Sequence, residues 1–277
     1  MDQSEVNQLT QPDCIKVIIS GKKTGGLEES RGDTGCDVTL VMDQADDVLL
    51  QAKAGRLAKS IMGKYEYASV TSQDINNKAY ACFHKIAGIV LAAGGSSRFR
   101  GPKQLLSWGD ETFISQVVIT AMLAGLDPIY VVVGAFQEDV ISALKELPVR
   151  VVENIDWQQG QSTSIRAAME ALEHGIHGVM FLLADQPQIT PRLIRALMEN
   201  VYLSSRSIVA PMVNGKRSNP VYFSEIAFNE LKTLQGDQGG RALFSKYSPQ
   251  YVDWLDDRMA MDVDTSEDLA KLRSLFE

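Results

Sequence analysis

From residue 86 onwards, short runs of β-branched and other apolar residues alternate with longer stretches in which apolar residues recur every three or four positions. The short runs are typical of strands buried on both faces, and the longer stretches are typical of amphipathic helices. Their regular alternation predicts an α/β fold, with a doubly wound, mostly parallel sheet of the Rossmann-like kind. Such a sheet holds its ligand in a crevice outside the carboxyl ends of the strands.

Five strands and four helices are predicted in this part of the chain. The strands are 87–93, 128–134, 149–154, 178–185 and 207–213. The helices are 112–125, 136–147, 164–175 and 190–203. Thr190 is the expected cap of the last helix, and Pro191 takes its first position, where a missing N–H costs nothing.

The first 85 residues have a different texture and are predicted to form a small α/β appendage whose role the sequence does not indicate. Residues 37–47 and 48–64 are typical of a strand, a turn and a helix, and residues 20–35 form a polar, glycine-rich stretch typical of a loop. The predicted organisation is therefore an appendage at 1–85 and a principal domain at 86–277.

Composition limits the classes of function. The formal net charge is -8 over 277 residues, which disfavours a nucleic-acid binder, because phosphate backbones are held by surplus lysine and arginine. No apolar run approaches the roughly 18 residues that a membrane helix needs, and the N-terminal sequence lacks the features of a secretory signal. The three cysteines are widely spaced and predict neither a disulfide framework nor a zinc site. We expect a soluble, cytoplasmic protein with no nucleic-acid or membrane partner.

The first strand of the principal domain runs into a loop of glycines and serines, Gly94–Ser97, followed by cations. Glycines let backbone N–H groups approach a ligand closely and point at its phosphate oxygens. Arg98 can donate two parallel hydrogen bonds to a phosphate, and Lys103 is a compact cation able to neutralise a leaving pyrophosphate. The spacing fits neither the dinucleotide fingerprint nor the Walker loop, because Pro102 follows Gly101 where the Walker loop has lysine. The loop is predicted to bind a polyphosphate.

The run LAAGGSSR, with Lys103 and QLL after it, resembles the signature of the molybdenum cofactor cytidylyltransferases and guanylyltransferases, within the nucleotidyltransferase superfamily. Further segments follow in the family's order: QGQSTSIRAAM at 159–169, LLADQP at 182–187, GKRSNPVYF at 215–223, LQGDQGGRALF at 234–244 and MDVDTSEDL at 261–269. The resemblance covers residues 86–277. Ser218 stands where the family usually has glycine, and Ser266 where it usually has proline.

The resemblance implies an enzyme that transfers CMP from CTP to the phosphate of molybdenum-molybdopterin, releasing pyrophosphate and forming the cytosine dinucleotide of the cofactor. Ala92 and Ala93 are typical of the cytidylyl branch, whereas the guanylyl branch usually reads Leu-Ala-Gly-Gly, so CTP is favoured over GTP. Three alternatives stay open: guanylyl transfer to the same cofactor, nucleotidyl transfer to a sugar phosphate, and a non-catalytic escort that delivers the cofactor to a molybdenum hydroxylase apoenzyme.

The residues that loop chemistry and resemblance together assign fall into three groups. Catalysis is assigned to Arg98, Lys103 and Asp185. Nucleotide binding is assigned to Leu91, Ala92, Ala93, Gly94, Gly95, Ser96, Ser97, Gly160, Ser162 and Ser164. Binding of the pterin substrate is assigned to Arg217, Asp237, Gly239 and Arg241.

Mg²⁺ is the expected cofactor, because a hard divalent cation can bridge the oxygens of a triphosphate. Mg²⁺ keeps several waters, so the protein needs to supply only a few carboxylate ligands. Asp185 directly follows an apolar strand and is the first candidate ligand. Asp262 is preferred as the second ligand. Asp264 lies on the same side of an extended segment, where it either binds the metal or caps a helix that begins near Ser266. Asp268 is predicted to be a solvated residue in the first turn of that helix.

Overall fold

The computed structural model describes residues 15–23, 37–38, 65–72, 79–95, 101–204, 206–263 and 265–276. The chain forms two compact units, Met1–Lys85 with Glu199–Ser205, and Ile86–Met198 with Arg206–Glu277. No helix in the described ranges is long and apolar enough to span a bilayer.

The first unit contains a four-stranded antiparallel sheet. Its strands are β1 (Ile15–Lys23), β2 (Asp37–Val38), β3 (Tyr65–Ser72) and β4 (Ala79–His84), in the order β2-β1-β3-β4. The prediction of a loop from residue 20 is wrong for the last four residues of β1, because pairing with β3 carries the strand as far as Lys23, opposite Tyr65. Neither β3 nor β4 was predicted. The predicted helix at 48–64 lies outside the described residues.

The second unit is built on an eight-stranded sheet. Its strands are β5 (Ile86–Leu91), β8 (Ile129–Val133), β9 (Arg150–Glu153), β10 (Gly178–Leu183), β11 (Ile208–Val213), β12 (Lys216–Arg217), β13 (Val221–Ser224) and β14 (Gln250–Trp254). The order is β12-β11-β13-β10-β5-β8-β9, and β14 pairs with β11. Neighbouring strands from β10 to β9 are parallel, whereas β13 is antiparallel to both β10 and β11. The predicted mostly parallel α/β sheet is therefore confirmed. A separate short hairpin joins β6 (Ser107–Trp108) to β7 (Glu111–Thr112).

Seven α-helices lie in the described part of the chain: α1 (Phe113–Ala124), α2 (Gln137–Ala143), α3 (Gln161–Ala171), α4 (Pro191–Ser204), α5 (Phe228–Leu231), α6 (Phe244–Tyr247) and α7 (Ser266–Ser274). The start of α4 agrees with the prediction, since the Thr190 hydroxyl accepts a hydrogen bond from Leu193 N at 3.3 Å. Helix α3 begins three residues earlier than predicted, directly after Gly160.

The strands at the centre of the sheet are the most deeply buried part of the second unit. Every residue of β8 is buried, and so are the first five of β5 and of β10. Helix α3 contributes Ile165, Ala168 and Met169 to the same core. The carboxyl ends of these strands, where a ligand is expected, therefore rest on a close-packed core.

Candidate functional site

The loops that follow β5 and β10 leave the sheet side by side. Leu91 pairs with Leu183 in the parallel ladder, so the two strands end at the same level. Ala184 N then donates to Leu91 O at 3.2 Å, and Ala92 N donates to Val132 O at 2.9 Å. This pairing brings the glycine-rich loop close to the segment that carries Asp185, as expected for the carboxyl edge of a parallel sheet.

A cavity of about 830 Å³, the first cavity, opens at this edge. Its wall is made of Leu91, Ala92, Ala93, Gly94, Gly95, Lys103, Gln104, Trp157, Gln158, Gln159, Gly160, Gln161, Ser164, Leu183, Ala184, Asp185 and Asp237. Most of the predicted nucleotide-binding residues in the described ranges are in this wall, together with the catalytic candidates Lys103 and Asp185. Its volume lies within the range of small-molecule sites.

Two side chains that the sequence analysis did not assign to the site hold the glycine-rich loop in place. The buried Gln104 amide donates from Nε2 to Ala92 O at 3.3 Å and to Gly94 O at 3.4 Å. The Trp157 ring lies so close to Gly95 that a Cβ there would be 3.0 Å from a ring carbon. A side chain at position 95 would therefore be crowded by the ring, and the indole forms part of the cavity wall.

The start of α3 is tied to the loop that contains Asp237. Gln161 N donates to Asp237 Oδ1 at 3.3 Å, and the Ser162 hydroxyl donates to Gly236 O at 2.6 Å. Ser162 is fully buried, so its side chain supports the wall of the site from behind. Its predicted contact with the nucleotide stays a prediction.

A buried hydrogen-bond network orients the hydroxyl group of Ser164. Asn154 Nδ2 donates to Thr163 Oγ1 at 2.8 Å and to Ser164 Oγ at 2.9 Å, and Thr163 Oγ1 donates to Gly160 O at 2.8 Å. Because Ser164 Oγ accepts from Asn154, its own hydrogen is left to donate towards the first cavity. Ser164 was predicted from its motif to contact the nucleotide, whereas Asn154 was not predicted.

A second cavity of about 670 Å³ adjoins the first. Both are lined by Leu91, Gln161, Leu183 and Asp237. The rest of the second wall comprises Ile165, Phe181, Asn219, Val221, Phe223, Gln238, Gly239, Gly240, Arg241, Ala242 and Asp262. Aromatic and aliphatic side chains thus form one part of this cavity, and polar groups form the other.

Three of the four residues assigned to the pterin substrate line the second cavity, namely Asp237, Gly239 and Arg241. Arg217 is not in its wall. The Arg217 guanidinium lies 5.6 Å from the centre of the Phe244 ring, and this ring packs against that of Phe223, with the ring centres 6.3 Å apart. Arg217 therefore contacts a ring that packs against the cavity wall and does not itself line the cavity.

The two candidate metal ligands that the structure describes lie on adjoining cavities. Asp185 is in the wall of the first, and Asp262 is in the wall of the second. Gln186 links them, since it follows Asp185 in the chain and its Nε2 donates to Asp262 Oδ1 at 3.0 Å. Within the described ranges no three His, Cys, Asp or Glu side chains cluster as a metal site. Two carboxylates nevertheless fit Mg²⁺, which takes oxygen ligands and keeps several waters.

Four predicted site residues lie outside the described residues: Ser96, Ser97, Arg98 and Asp264. The N-cap of α7 is Thr265, so the predicted cap at Asp264 is one residue too early. Thr265 Oγ1 accepts from Asp268 N at 3.1 Å, and Asp268 Oδ2 accepts from Thr265 N at 2.8 Å. Asp268 lies in the first turn of α7, as predicted, and its carboxylate is also part of a capping box.

The comparisons with known proteins identify the family of the chain. Residues 88–251 match the profile of the MobA-like NTP transferase domain, and the chain belongs to that family of nucleotidyltransferases. The recognition from sequence is therefore confirmed.

Individual relatives carry different names. Nicotine blue oxidoreductase of Paenarthrobacter nicotinovorans is 29% identical over 197 residues, which are 68% of this chain and 96% of that protein. A probable molybdenum cofactor guanylyltransferase of Bacillus cereus is 31% identical over 135 residues, 48% of this chain and 64% of that protein. The crystal structure of Rv0371c from Mycobacterium tuberculosis in complex with manganese is 28% identical, with a TM-score of 0.60 over 69% of this chain and 98% of that one.

Proposed function

We propose that the protein transfers CMP from CTP to the phosphate of molybdenum-molybdopterin. An oxygen of the acceptor phosphate attacks the α-phosphorus of CTP, a new P–O bond forms, and the bond to the departing pyrophosphate breaks. The observation that carries the proposal is the pair of adjoining cavities with a shared wall, which suits a reaction between two bound anionic substrates. In such a reaction, positioning and charge neutralisation supply most of the rate enhancement.

The first cavity is assigned to the nucleotide. Gly94 and Gly95 line this cavity, and among the described residues of its wall Lys103, which is only 8% exposed, carries the positive charge. A cation held in a partly desolvated position neutralises developing phosphate charge more strongly than one in water. We assign Lys103 to the leaving pyrophosphate, together with Arg98 from the adjoining stretch of sequence.

The second cavity is assigned to the pterin substrate. Phe181 and Phe223 meet edge to face, with their ring centres 5.8 Å apart, and offer an apolar surface of the kind that binds a flat heterocycle. Arg241 and Asn219 provide hydrogen-bond donors on the polar side of the same cavity. This pairing of an aromatic surface with polar groups supports an acceptor that carries both a ring system and a phosphate.

Asp185 and Asp262 would hold a divalent cation, which we propose is Mg²⁺. When bound, such an ion withdraws charge from the phosphate oxygens and makes the α-phosphorus easier to attack. The manganese complex of the M. tuberculosis relative supports a divalent ion in this family.

The choice of CTP over GTP rests on Ala92 and Ala93, which line the first cavity. Guanylyl transfer to the same acceptor is the nearest alternative, and the name of the B. cereus relative favours it. Purified protein, Mo-molybdopterin and Mg²⁺ should release pyrophosphate with CTP and not with GTP, and the Asp185→Asn variant should release almost none. Release with GTP alone would replace the proposal with the guanylyl reaction.

Absence of release with every nucleotide would contradict nucleotidyl transfer. Delivery of preformed cofactor to a molybdenum hydroxylase apoenzyme would then support the escort role. The P. nicotinovorans relative favours one further candidate, an oxidoreductase acting on nicotine blue. Colour loss of that dye in the presence of a reduced nicotinamide, without any pyrophosphate release, would favour this candidate over transfer.

A further inference from the structure

Two buried glutamines after β10 attach the end of that strand to the segment before α7. Gln186 is 3% exposed and Gln188 is 2% exposed. Gln186 Nε2 donates to Asp262 Oδ1 at 3.0 Å, and Gln188 Nε2 donates to Met261 O at 2.6 Å. Through these bonds, two parts of the chain that are far apart in sequence present Asp185 and Asp262 to adjoining cavities.

The acceptor of the Gln186 bond fixes the orientation of its amide. An ionised carboxylate can only accept, so the NH₂ end of the amide must face Asp262. The other end of each amide then has no hydrogen-bond partner among the described residues, and both Gln186 Oε1 and Gln188 Oε1 are buried. An unpaired buried acceptor costs about 1–3 kcal/mol, which is comparable to the about 0.5–3 kcal/mol that the bond donated by the other end of the amide contributes. Stability alone does not explain glutamine at these positions.

We propose that Gln186 is a positioning residue for the divalent cation, an inference that rests on the metal-dependent transfer proposed above. By bonding to Oδ1 of Asp262, Gln186 fixes the rotation of the carboxylate and leaves Oδ2 to bind the ion. Hydrogen bonds to ligating carboxylates orient them, and losing such a partner typically weakens metal affinity about 10–100-fold. Gln188 holds the neighbouring main chain and has no contact with the carboxylate, so its role is distinct.

The test compares Gln186→Met with Gln188→Met. Methionine matches glutamine in length and removes the donor without adding charge. Mn²⁺ is titrated into each protein in the presence of CTP, and free Mn²⁺ is measured by electron paramagnetic resonance. Gln186→Met should raise the dissociation constant of Mn²⁺ about 10–100-fold. Gln188→Met should change it far less, and metal-free CTP binding should be unchanged in both, since neither glutamine lines the first cavity.

The Asp262→Ala variant completes the design. In the Asp262→Ala background, Gln186→Met should cause no further loss of Mn²⁺ affinity. Thermal unfolding confirms that each variant folds, and Gln186→Leu replaces Gln186→Met if the latter does not. Equal losses of Mn²⁺ affinity in the Gln186 and Gln188 variants would overturn the positioning role. So would a double variant of Asp262 and Gln186 in which the two losses of affinity add.

The failure of this inference and the failure of the proposed function give different results. If Asp262→Ala weakens Mn²⁺ binding and Gln186→Met does not, only the positioning role fails. If Asp262→Ala has no effect, the metal role of Asp262 and the positioning role fail together. If Mn²⁺ binds with GTP and not with CTP, the cytidylyl specificity fails, and the same comparison with GTP then decides the role of Gln186.

Discussion

Replacing Gly160 with alanine should destabilise the protein and weaken the binding of substrates in both cavities. Gly160 has φ 110° and ψ 174°, a backbone conformation essentially confined to glycine. A Cβ at this position would lie 2.7 Å from Gly236 O and 2.9 Å from Asp237 N, so the loop that lines both cavities would have to move. Backbone strain of about 1–3 kcal/mol, and loss of the Ser162 bond to Gly236 O at about 0.5–1.5 kcal/mol, give a total of about 1.5–4.5 kcal/mol.

The prediction is checked by thermal unfolding and by substrate affinity. A loss of that size should lower Tm by about 3–18 °C for a domain of this length. Gly175→Ala is the matched control, because Gly175 also has a positive φ, 83°, but its added Cβ would meet no atom within 4 Å in the described structure. The control should lose less stability and keep normal affinity for both substrates. If the Gly160→Ala protein is as stable as the control, contact with the loop at Gly236 and Asp237 does not explain why glycine is needed at position 160.

Three further predictions concern other parts of the second unit. Lys103→Ala, and Arg98→Ala from the sequence argument, should each lower the rate of pyrophosphate release on the order of 10²-fold or more; near-normal rates in both would remove the phosphate assignment. Asn154→Ala leaves two buried hydroxyls without their donor and should cost about 1–3 kcal/mol in urea unfolding, an effect that an unchanged midpoint would contradict. Hydrogen bonds from Arg258 lower the pKa of Asp256 below its ordinary value of 3.8, so the stability that this carboxylate contributes is present above that value and is lost as the pH falls through the lowered pKa. The Asp256→Asn variant should therefore be less stable than the parent protein at neutral pH. Its stability should also fall less than that of the parent protein on acidification, as measured by unfolding between pH 2 and 7.

The sequence predicted the centre of the principal sheet well for a simple physical reason. Strands such as β5 and β8 are buried on both faces, so they are continuous apolar runs that local composition reveals. Strand β14, of sequence QYVDW, mixes polar and apolar residues and is only partly buried, and it was not predicted. Its position depends on pairing with β11, which no local pattern encodes.

The start of α3 shows a second limit. The polar residues at 161–163 lack the periodicity of a helix, and Ser162 and Thr163 are buried by contacts that only the folded chain provides. Glycine at position 160, just before the helix, was the available signal.

Residues that line the candidate site were predicted from the sequence, whereas the side chains that hold them in place were not. Motifs placed Lys103, Asp185 and Asp237 in the cavity walls, because a residue just past a strand or in a glycine loop lies at the sheet edge. Gln104 and Gln186 were missed, although both lie within the motifs. The role of Gln104 depends on a bond to a backbone carbonyl, and that of Gln186 depends on a partner far away in the sequence. The metal and substrate roles assigned to all these residues stay predictions, as does the division of function between the two parts of the chain.

A crystal structure with CTP and Mn²⁺ bound, read by anomalous scattering at the manganese edge, tests the central claim most directly. We expect one anomalous peak in contact with carboxylate oxygens of Asp185 and Asp262, and a triphosphate in the first cavity against the amides of Gly94 and Gly95. Manganese bound away from both carboxylates, or a nucleotide lying outside the first cavity, would contradict it.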